Sequence, residues 1–227
     1  MNQPLLTNRF TRALTVAHEW HAPQKRKGTE TPYISHLLGV ASIALEFGAN
    51  EDQAIAALLH DALEDGPEFT AKDASQLRRE IAEQFGEQVA LMVEGATDAM
   101  PKAGEVKAPW AQRKADYLKV LVNKDADMLL VSASDKLHNA RAILTDIMTT
   151  ENQAGVAAFF ERFSQGQEGT LQYYRRLVDT YRAAPATKGK PRLQALLNEL
   201  DRTVTAIETA SGVDADVVRN YPHLPNP

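Results

Sequence analysis

The run AIAALLHDALEDGP places His60-Asp61 four residues ahead of Glu64-Asp65. At 3.6 residues per turn, Glu64 falls one turn beyond His60 and Asp65 one turn beyond Asp61. Four groups suited to metal ligation and proton transfer therefore gather at the end of an otherwise apolar helix. Charge is costly in that setting unless it faces a site. Two distant residues extend the set: His36, in the first turn of a second helix, and Asp135, in the helix DMLLVSASDKLHNARAIL. His36, His60, Asp61 and Asp135 form the candidate metal ligands. Two imidazoles and two carboxylates suit a divalent ion such as Mn²⁺, Fe²⁺ or Zn²⁺ better than Ca²⁺, and Mn²⁺ better than Mg²⁺. Such an ion can lower the pKa of water from 15.7 to about 7 and neutralise phosphoryl charge. Hydrolysis of a phosphorus ester needs both effects.

Glu64 and Asp65 admit a plainer reading as a solvated helix end. Against it stands the helix dipole, which disfavours carboxylates at a C-terminus unless an adjacent cation offsets it. They are assigned to orienting or deprotonating the attacking water. Asn139, one turn after Asp135, should face the same cavity and hydrogen-bond a substrate sugar or phosphate. His138 reads equally well as a structural hydrogen-bonding residue. Arg26 and Lys27, with Lys25, make a basic patch ten residues before His36. They are candidates for contact with substrate phosphates or base, the alternative being a solvated loop. His18 and His21 read as structural.

The elements that must position these residues are helices throughout. The pattern predicts helices over about 4–20, over 33–48 with Pro32 at the entrance, and from a cap at Asn50 to Gly66-Pro67. Ile55, Leu58, Leu59 and Leu63 of that third helix point to the core. A fourth starts from a Thr70–Asp73 box and ends near Phe85, and Gly86 separates it from a fifth over about 87–97. Residues 98–108 read as a loop. Helices follow over about 109–122, 125–148 and 151–181, the last breaking near Gly166 and Gly169. A linker, a helix over 191–210 and a tail complete the chain. This gives one domain over 1–182, with 183–227 as linker, helix and tail.

Composition sets outer bounds. The 227 residues suffice for a sizeable core, 44% are hydrophobic, and the net charge is −5. A mildly acidic chain is not expected to coat nucleic acid. With no cysteine, disulfides, thiolate metal sites and cysteine nucleophiles are excluded. The first twenty residues lack a signal-peptide core, and no apolar run approaches a membrane span. The expectation is a cytoplasmic protein with a small-molecule partner, no nucleic acid and no membrane, a homo-oligomer being left open.

Four segments in order, RKGTETPYISHLLGVA, AALLHDALEDG, FGEQVALMVEGAT and SDKLHNARAI, resemble the hydrolase domain of the RelA/SpoT alarmone enzymes, a branch of the HD-domain metal-dependent phosphohydrolases. The resemblance spans about 21–145. It implies an all-α HD-domain helical bundle, here with a C-terminal helical appendage, and a manganese-type ion on His36, His60, Asp61 and Asp135. It implies a hydrolytic role for Glu64-Asp65, a ribose contact for Asn139, and base and phosphate contacts for Arg26-Lys27. The implied reaction removes pyrophosphate from the ribose 3′ position of ppGpp or pppGpp. Two features depart from the family pattern: Leu37 stands where Pro commonly follows the first metal His, and the segment between Arg26 and His36 is one residue longer. A phosphohydrolase of another nucleotide and a non-catalytic nucleotide-sensing module are the alternative readings; the intact acidic pair argues against the second.

Overall fold

A computed structural model describes residues 5–97 and 108–224. Among them the regular structure is helical: α1 (Asn8–Trp20), α2 (Ile34–Glu46), α3 (Glu51–Leu59), α4 (Gly66–Phe69), α5 (Ala74–Phe85), α6 (Glu87–Ala96), α7 (Trp110–Leu121), α8 (Ala126–Met148), α9 (Gln153–Phe160), α10 (Gly166–Ala183), α11 (Pro191–Ala210) and α12 (Ala215–Arg219). An isolated antiparallel bridge joins Lys25 to Pro32. The all-α expectation holds. None of these helices is long and apolar enough to cross a membrane. The chain divides into two compact units, Met1–Lys107 with Asp125–Asp135, and Ala108–Lys124 with Lys136–Pro227.

The first unit is built around α3. Ala54 through Leu59 are wholly inaccessible to solvent, and α1, α2 and α6 pack about them. A helix apolar on every side is stable only as a core element. Its start is fixed by a reciprocal cap: the Asn50 side chain accepts from the Gln53 N–H at 2.9 Å, and the Gln53 side chain accepts from the Asn50 N–H at 2.7 Å. The Gln53 amide also donates to Asp127 Oδ1 at 2.9 Å, anchoring the start of α8 beside the start of α3. At Gly95 of α6, a Cβ would come within 2.7 Å of the Met128 sulfur, so glycine there lets α8 close on α6. These contacts fix the stretch of α8 that ends in Asp135.

Three expected boundaries move. The third helix does not run to Gly66: α3 stops at Leu59, and residues 60–65 continue as successive turns. Their backbone bonds mix three- and four-residue closures, Ala62 to Leu59, Asp65 to Asp61 and Gly66 to Ala62, and Gly66 opens α4 instead of ending α3. The fourth helix is capped by Asp73, not by a Thr70 box, because Gln76 reaches back to the Asp73 N–H at 2.8 Å while the Thr70 hydroxyl donates to the Gly66 carbonyl. The 151–181 segment is two helices, broken ahead of Gly166, whose φ is +59°, while Gly169 lies inside α10. Most of the expected 98–108 loop lies outside the described residues.

In the second unit, α10 and α11 are locked by a buried ion network. Arg175, 3% exposed, donates to Glu208 at 2.8 and 2.6 Å, to Asp201 at 2.6 Å and to Thr205 at 3.0 Å. The segment expected as a tail is anchored. Arg219 of α12 grips Asp179 with two bonds of 2.8 and 3.0 Å, and the Leu224 N–H donates to Gln172 Oε1 at 2.8 Å.

Gly86, between α5 and α6, adopts φ +97° and ψ 158°, a region essentially restricted to glycine. A Cβ there would meet nothing within 4 Å, so substitution costs backbone conformation alone. Gly86→Ala is expected to destabilise the protein by about 1–3 kcal/mol, read as a lower urea midpoint at unchanged m-value. An unaltered midpoint would mean that the turn relaxes freely.

Candidate metal centre and hydrolytic site

His36, one turn into α2, and His60, directly after the buried α3, present their Nε2 atoms 3.3 Å apart. Asp135 Oδ1 lies 3.3 Å from the first and 3.6 Å from the second. Asp61 Oδ2 lies 3.4 and 2.9 Å from the same two nitrogens. His36, His60 and Asp135 each offer a ligand atom within 4.8 Å of the others, all three buried; Asp61 is outside that trio but faces both imidazoles. Two nitrogens bound to one ion at about 2.0–2.1 Å stand about 2.9–3.4 Å apart at octahedral to tetrahedral angles, and the observed spacing fits.

The surroundings prepare these groups for a cation. The His60 Nδ1 donates to the Ala57 carbonyl at 2.9 Å, which leaves Nε2 to carry the ligand lone pair. The Tyr33 hydroxyl donates to Asp61 Oδ2 at 2.6 Å, orienting the carboxylate. Burial and the negative charges of Asp61 and Asp65 push the Tyr33 phenol far up, so it stays a donor. Burial tends to lower the His60 pKa, but Asp61 and Asp135 outweigh it and hold the ring well above its ordinary range. Asp61, against the burial that would raise it, is held well below the usual carboxylate range by His60 and His36. Both shifts mark a place that favours positive charge among the carboxylates.

Asp65 behaves oppositely. Burial and the neighbouring Asp61 charge raise its pKa above the ordinary value. Its Oδ2 accepts from the Gln24 amide at 2.7 Å. Glu64 is half-buried in the same turn. Asn139 and His138 lie beyond Asp135 on α8, in the stretch belonging to the second unit, and both are half-buried.

Arg26 and Lys27 sit at the tip of a small loop closed by the Lys25–Pro32 bridge and by the Arg26 N–H to Thr31 carbonyl bond of 2.8 Å. Gly28, with φ +76°, makes the turn. The Arg26 guanidinium lies 5.9 Å from the Tyr33 ring centroid, Lys27 is exposed, and Lys25 is paired with Glu30. The base of this loop carries residues that sequence reasoning missed or set aside. Tyr33 and Gln24 reach Asp61 and Asp65, and His21, read as structural, stacks on Tyr33 and bonds Gln24. Neither a loop glutamine nor a tyrosine at a helix entrance has a periodicity that would reveal such a contact.

Residues 13–160 match the HD domain family, a stretch covering more than half of the chain. The chain belongs to the HD domain family. Within it, the chain is 37% identical over 142 residues to the guanosine-3′,5′-bis(diphosphate) 3′-pyrophosphohydrolase of Aquifex aeolicus (strain VF5), covering 62% of this chain and 18% of that protein. It is 39% identical over 133 residues to the GTP pyrophosphokinase of Streptomyces coelicolor (strain ATCC BAA-471 / A3(2) / M145), covering 58% of this chain and 14% of that protein. The chain thus spans less than a fifth of the length of these curated relatives. Among solved structures, it matches with a TM-score of 0.61 and 25% identity one described as a metazoan ortholog of SpoT that hydrolyzes ppGpp and plays a role in starvation responses, covering 89% of this chain and 97% of that one.

If His36, His60, Asp61 and Asp135 hold one ion, Asp61→Ala and Asp135→Ala should each abolish stoichiometric Mn²⁺ binding in a competition titration against a chelating dye. Tyr33→Phe should keep the metal but bind it about 10–100-fold more weakly, the usual loss when a partner that orients a ligand is removed. Wild-type affinity in Asp61→Ala would remove that residue from the set.

Proposed function

We propose that this chain is a metal-dependent 3′-pyrophosphohydrolase of hyperphosphorylated purine nucleotides, (p)ppGpp or an adenine counterpart. The observation that carries the reading is the convergence of His36, His60, Asp61 and Asp135, with Asp65 one turn from Asp61. Support comes from the likeness to a ppGpp-hydrolysing protein along nearly the full length of both chains. The four residues would hold a divalent ion, with Mn²⁺ favoured by the mixed nitrogen and carboxylate donors. When bound, that ion supplies Lewis-acid polarisation and neutralises phosphoryl charge.

The protein's own groups do the rest. Asp65, with Glu64 beside it, orients a water and takes its proton as the oxygen bonds to the phosphorus nearest the ribose. The bond from that phosphorus to the 3′ oxygen breaks, its electron pair stays on the 3′ oxygen, which takes up a proton, and pyrophosphate leaves. A carboxylate with a raised pKa is a stronger proton acceptor than an ordinary one. Arg26 stacks on the base or forks onto phosphate, Lys27 adds charge from the exposed tip, and Asn139 contacts the ribose.

The test is product identification. Mn²⁺-loaded protein is incubated with ppGpp, pppGpp, their adenine counterparts, a phosphorylated dinucleotide cofactor and deoxynucleoside triphosphates. Release of pyrophosphate with the matching 5′-phosphorylated nucleoside is expected from the first four. Turnover confined to the other compounds would replace the substrate class, and binding of ppGpp without turnover would make the chain a sensing module. Glu64→Gln and Asp65→Asn should keep the metal yet lose at least about tenfold in kcat.

Recognition is tested separately. A hydrogen bond to a charged group is worth roughly 1.5–3 kcal/mol, so Arg26→Ala should raise KM by roughly one to two orders of magnitude with metal content unchanged. Unchanged kinetics on guanine and adenine substrates in both Arg26→Ala and Lys27→Ala would return the loop to a solvated surface.

A further inference from the structure

Gln24 is joined to its surroundings at four points. Its backbone N–H donates to the His21 carbonyl at 3.0 Å, and its carbonyl accepts from the Tyr33 N–H at 2.9 Å. Its side chain lies between two titratable groups, Oε1 at 2.5 Å from His21 Nδ1 and Nε2 at 2.7 Å from Asp65 Oδ2. The His21 ring is 2% exposed and stacks on Tyr33 with centroids 5.4 Å apart and planes 25° apart. Tyr33 in turn holds Asp61. Two carboxylates one turn apart, Asp61 and Asp65, are thus each held by a side chain from the base of one loop, and the two holding residues are bonded to each other through their backbones.

An amide has a donor end and an acceptor end, which gives this chain of bonds a direction. With Nε2 donating to the Asp65 carboxylate, Oε1 must accept, so His21 carries its proton on Nδ1. Turning the amide over would set its oxygen against a carboxylate oxygen, acceptor against acceptor. The buried His21 Nδ1–H therefore keeps Gln24 in the one orientation that presents a donor to Asp65. His21 Nε2 is buried and makes no hydrogen bond among the described residues, so the ring's polar contact is spent on Gln24.

We propose that Gln24, oriented by His21, is a positioning residue that fixes the rotation of the Asp65 carboxylate for proton transfer, while Tyr33 from the same loop does so for Asp61. This rests on Asp65 acting as the proton acceptor, as argued above. The side-chain hydrogen bonds of Gln24 go to His21 and Asp65, so it acts through Asp65.

The experiment compares Gln24→Met, which keeps length and loses both polar ends, and His21→Phe, which keeps the stack and loses the Nδ1 donor, with Asp65→Asn in the Mn²⁺-loaded chain. Gln24→Met should lower kcat on ppGpp about tenfold or more, part of the 10²–10⁴-fold that a positioned acid–base group contributes. KM, Mn²⁺ affinity and urea midpoint should stay near wild type, a split that a general packing defect does not produce. His21→Phe should lower kcat in the same way but less. The Gln24→Met/Asp65→Asn double variant should be no slower than Asp65→Asn alone, since a positioning residue has nothing left to position. Wild-type kcat in Gln24→Met beside an impaired Asp65→Asn would overturn the inference and leave the role of Asp65 standing. Fully additive losses, or a loss of metal parallel to the loss of rate, would also overturn it. An active Asp65→Asn would remove the proton-acceptor reading itself. If Gln24→Met does not fold, the His21→Phe split decides alone, and unchanged kcat there counts against the proposal.

Discussion

Two carboxylates and two imidazoles converge so that one oxygen of each aspartate lies within 4 Å of both Nε2 atoms, with His36, His60 and Asp135 buried and Asp61 only partly open to solvent. Burying charge is expensive unless it is compensated. Asp61 and Asp135 repel one another, and only positive charge between them makes the arrangement stable. The shifts follow from that constraint. His60 is pulled toward its protonated form and Asp61 is held ionised, each by the other. Protonated imidazole balances the carboxylates by the same electrostatics that a divalent ion would exploit more strongly.

The fold serves this convergence through one unusual helix. Because α3 is buried on every side, the chain leaving it at His60 emerges from the core into the cluster instead of into solvent. The partner helix α8 is tied to α3 by Gln53 and Asp127 and approaches α6 closely at Gly95. Asp135 then comes within 3.3 Å of His36 and 3.6 Å of His60. Packing decides the position here; the ligands add little stability of their own, since a buried charge removed from its partner destabilises more than the pair contributes.

Much of this was legible in the sequence, for reasons particular to each element. Asn50 was readable as a cap because a polar residue there precedes an apolar run, and Gly86 as a break because glycine punctuates two helical periods. The candidate cluster stood out because His60-Asp61, with Glu64-Asp65 one turn on, put charge where an apolar helix should have none. Thr70 misled because two residues near a helix start both had capping chemistry, and the choice between them lay with Gln76. The end of α3 misled because residues 60–65 keep a helical spacing while their hydrogen bonds loosen. Gln24 was invisible: its partner Asp65 is 41 residues away, and no local pattern links a loop amide to a distant turn. The packing of α11 on α10 draws on Arg175, a buried cation whose partners on α11 lie at separations that no single-helix pattern encodes.

The opposed shifts of Asp61 and Asp65 give one turn of chain two different carboxylates. Asp61 faces imidazoles and is driven toward ionisation; Asp65 faces Asp61 and burial and is driven toward the proton. An aspartate at its ordinary value of about 3.9 is a weak base at neutral pH, and a raised one lies closer to the pH at which general base catalysis is most effective. A cation beside Asp61 lowers the negative potential that Asp65 feels, and the bond donated by Gln24 also favours the ionised form. If Asp65 is the proton acceptor proposed above, it would have to lie far enough from a cation held by the cluster to stay basic and near enough to the attacking water to take its proton. A separation of one turn, with Tyr33 held to Asp61 and Gln24 to Asp65, would meet both demands.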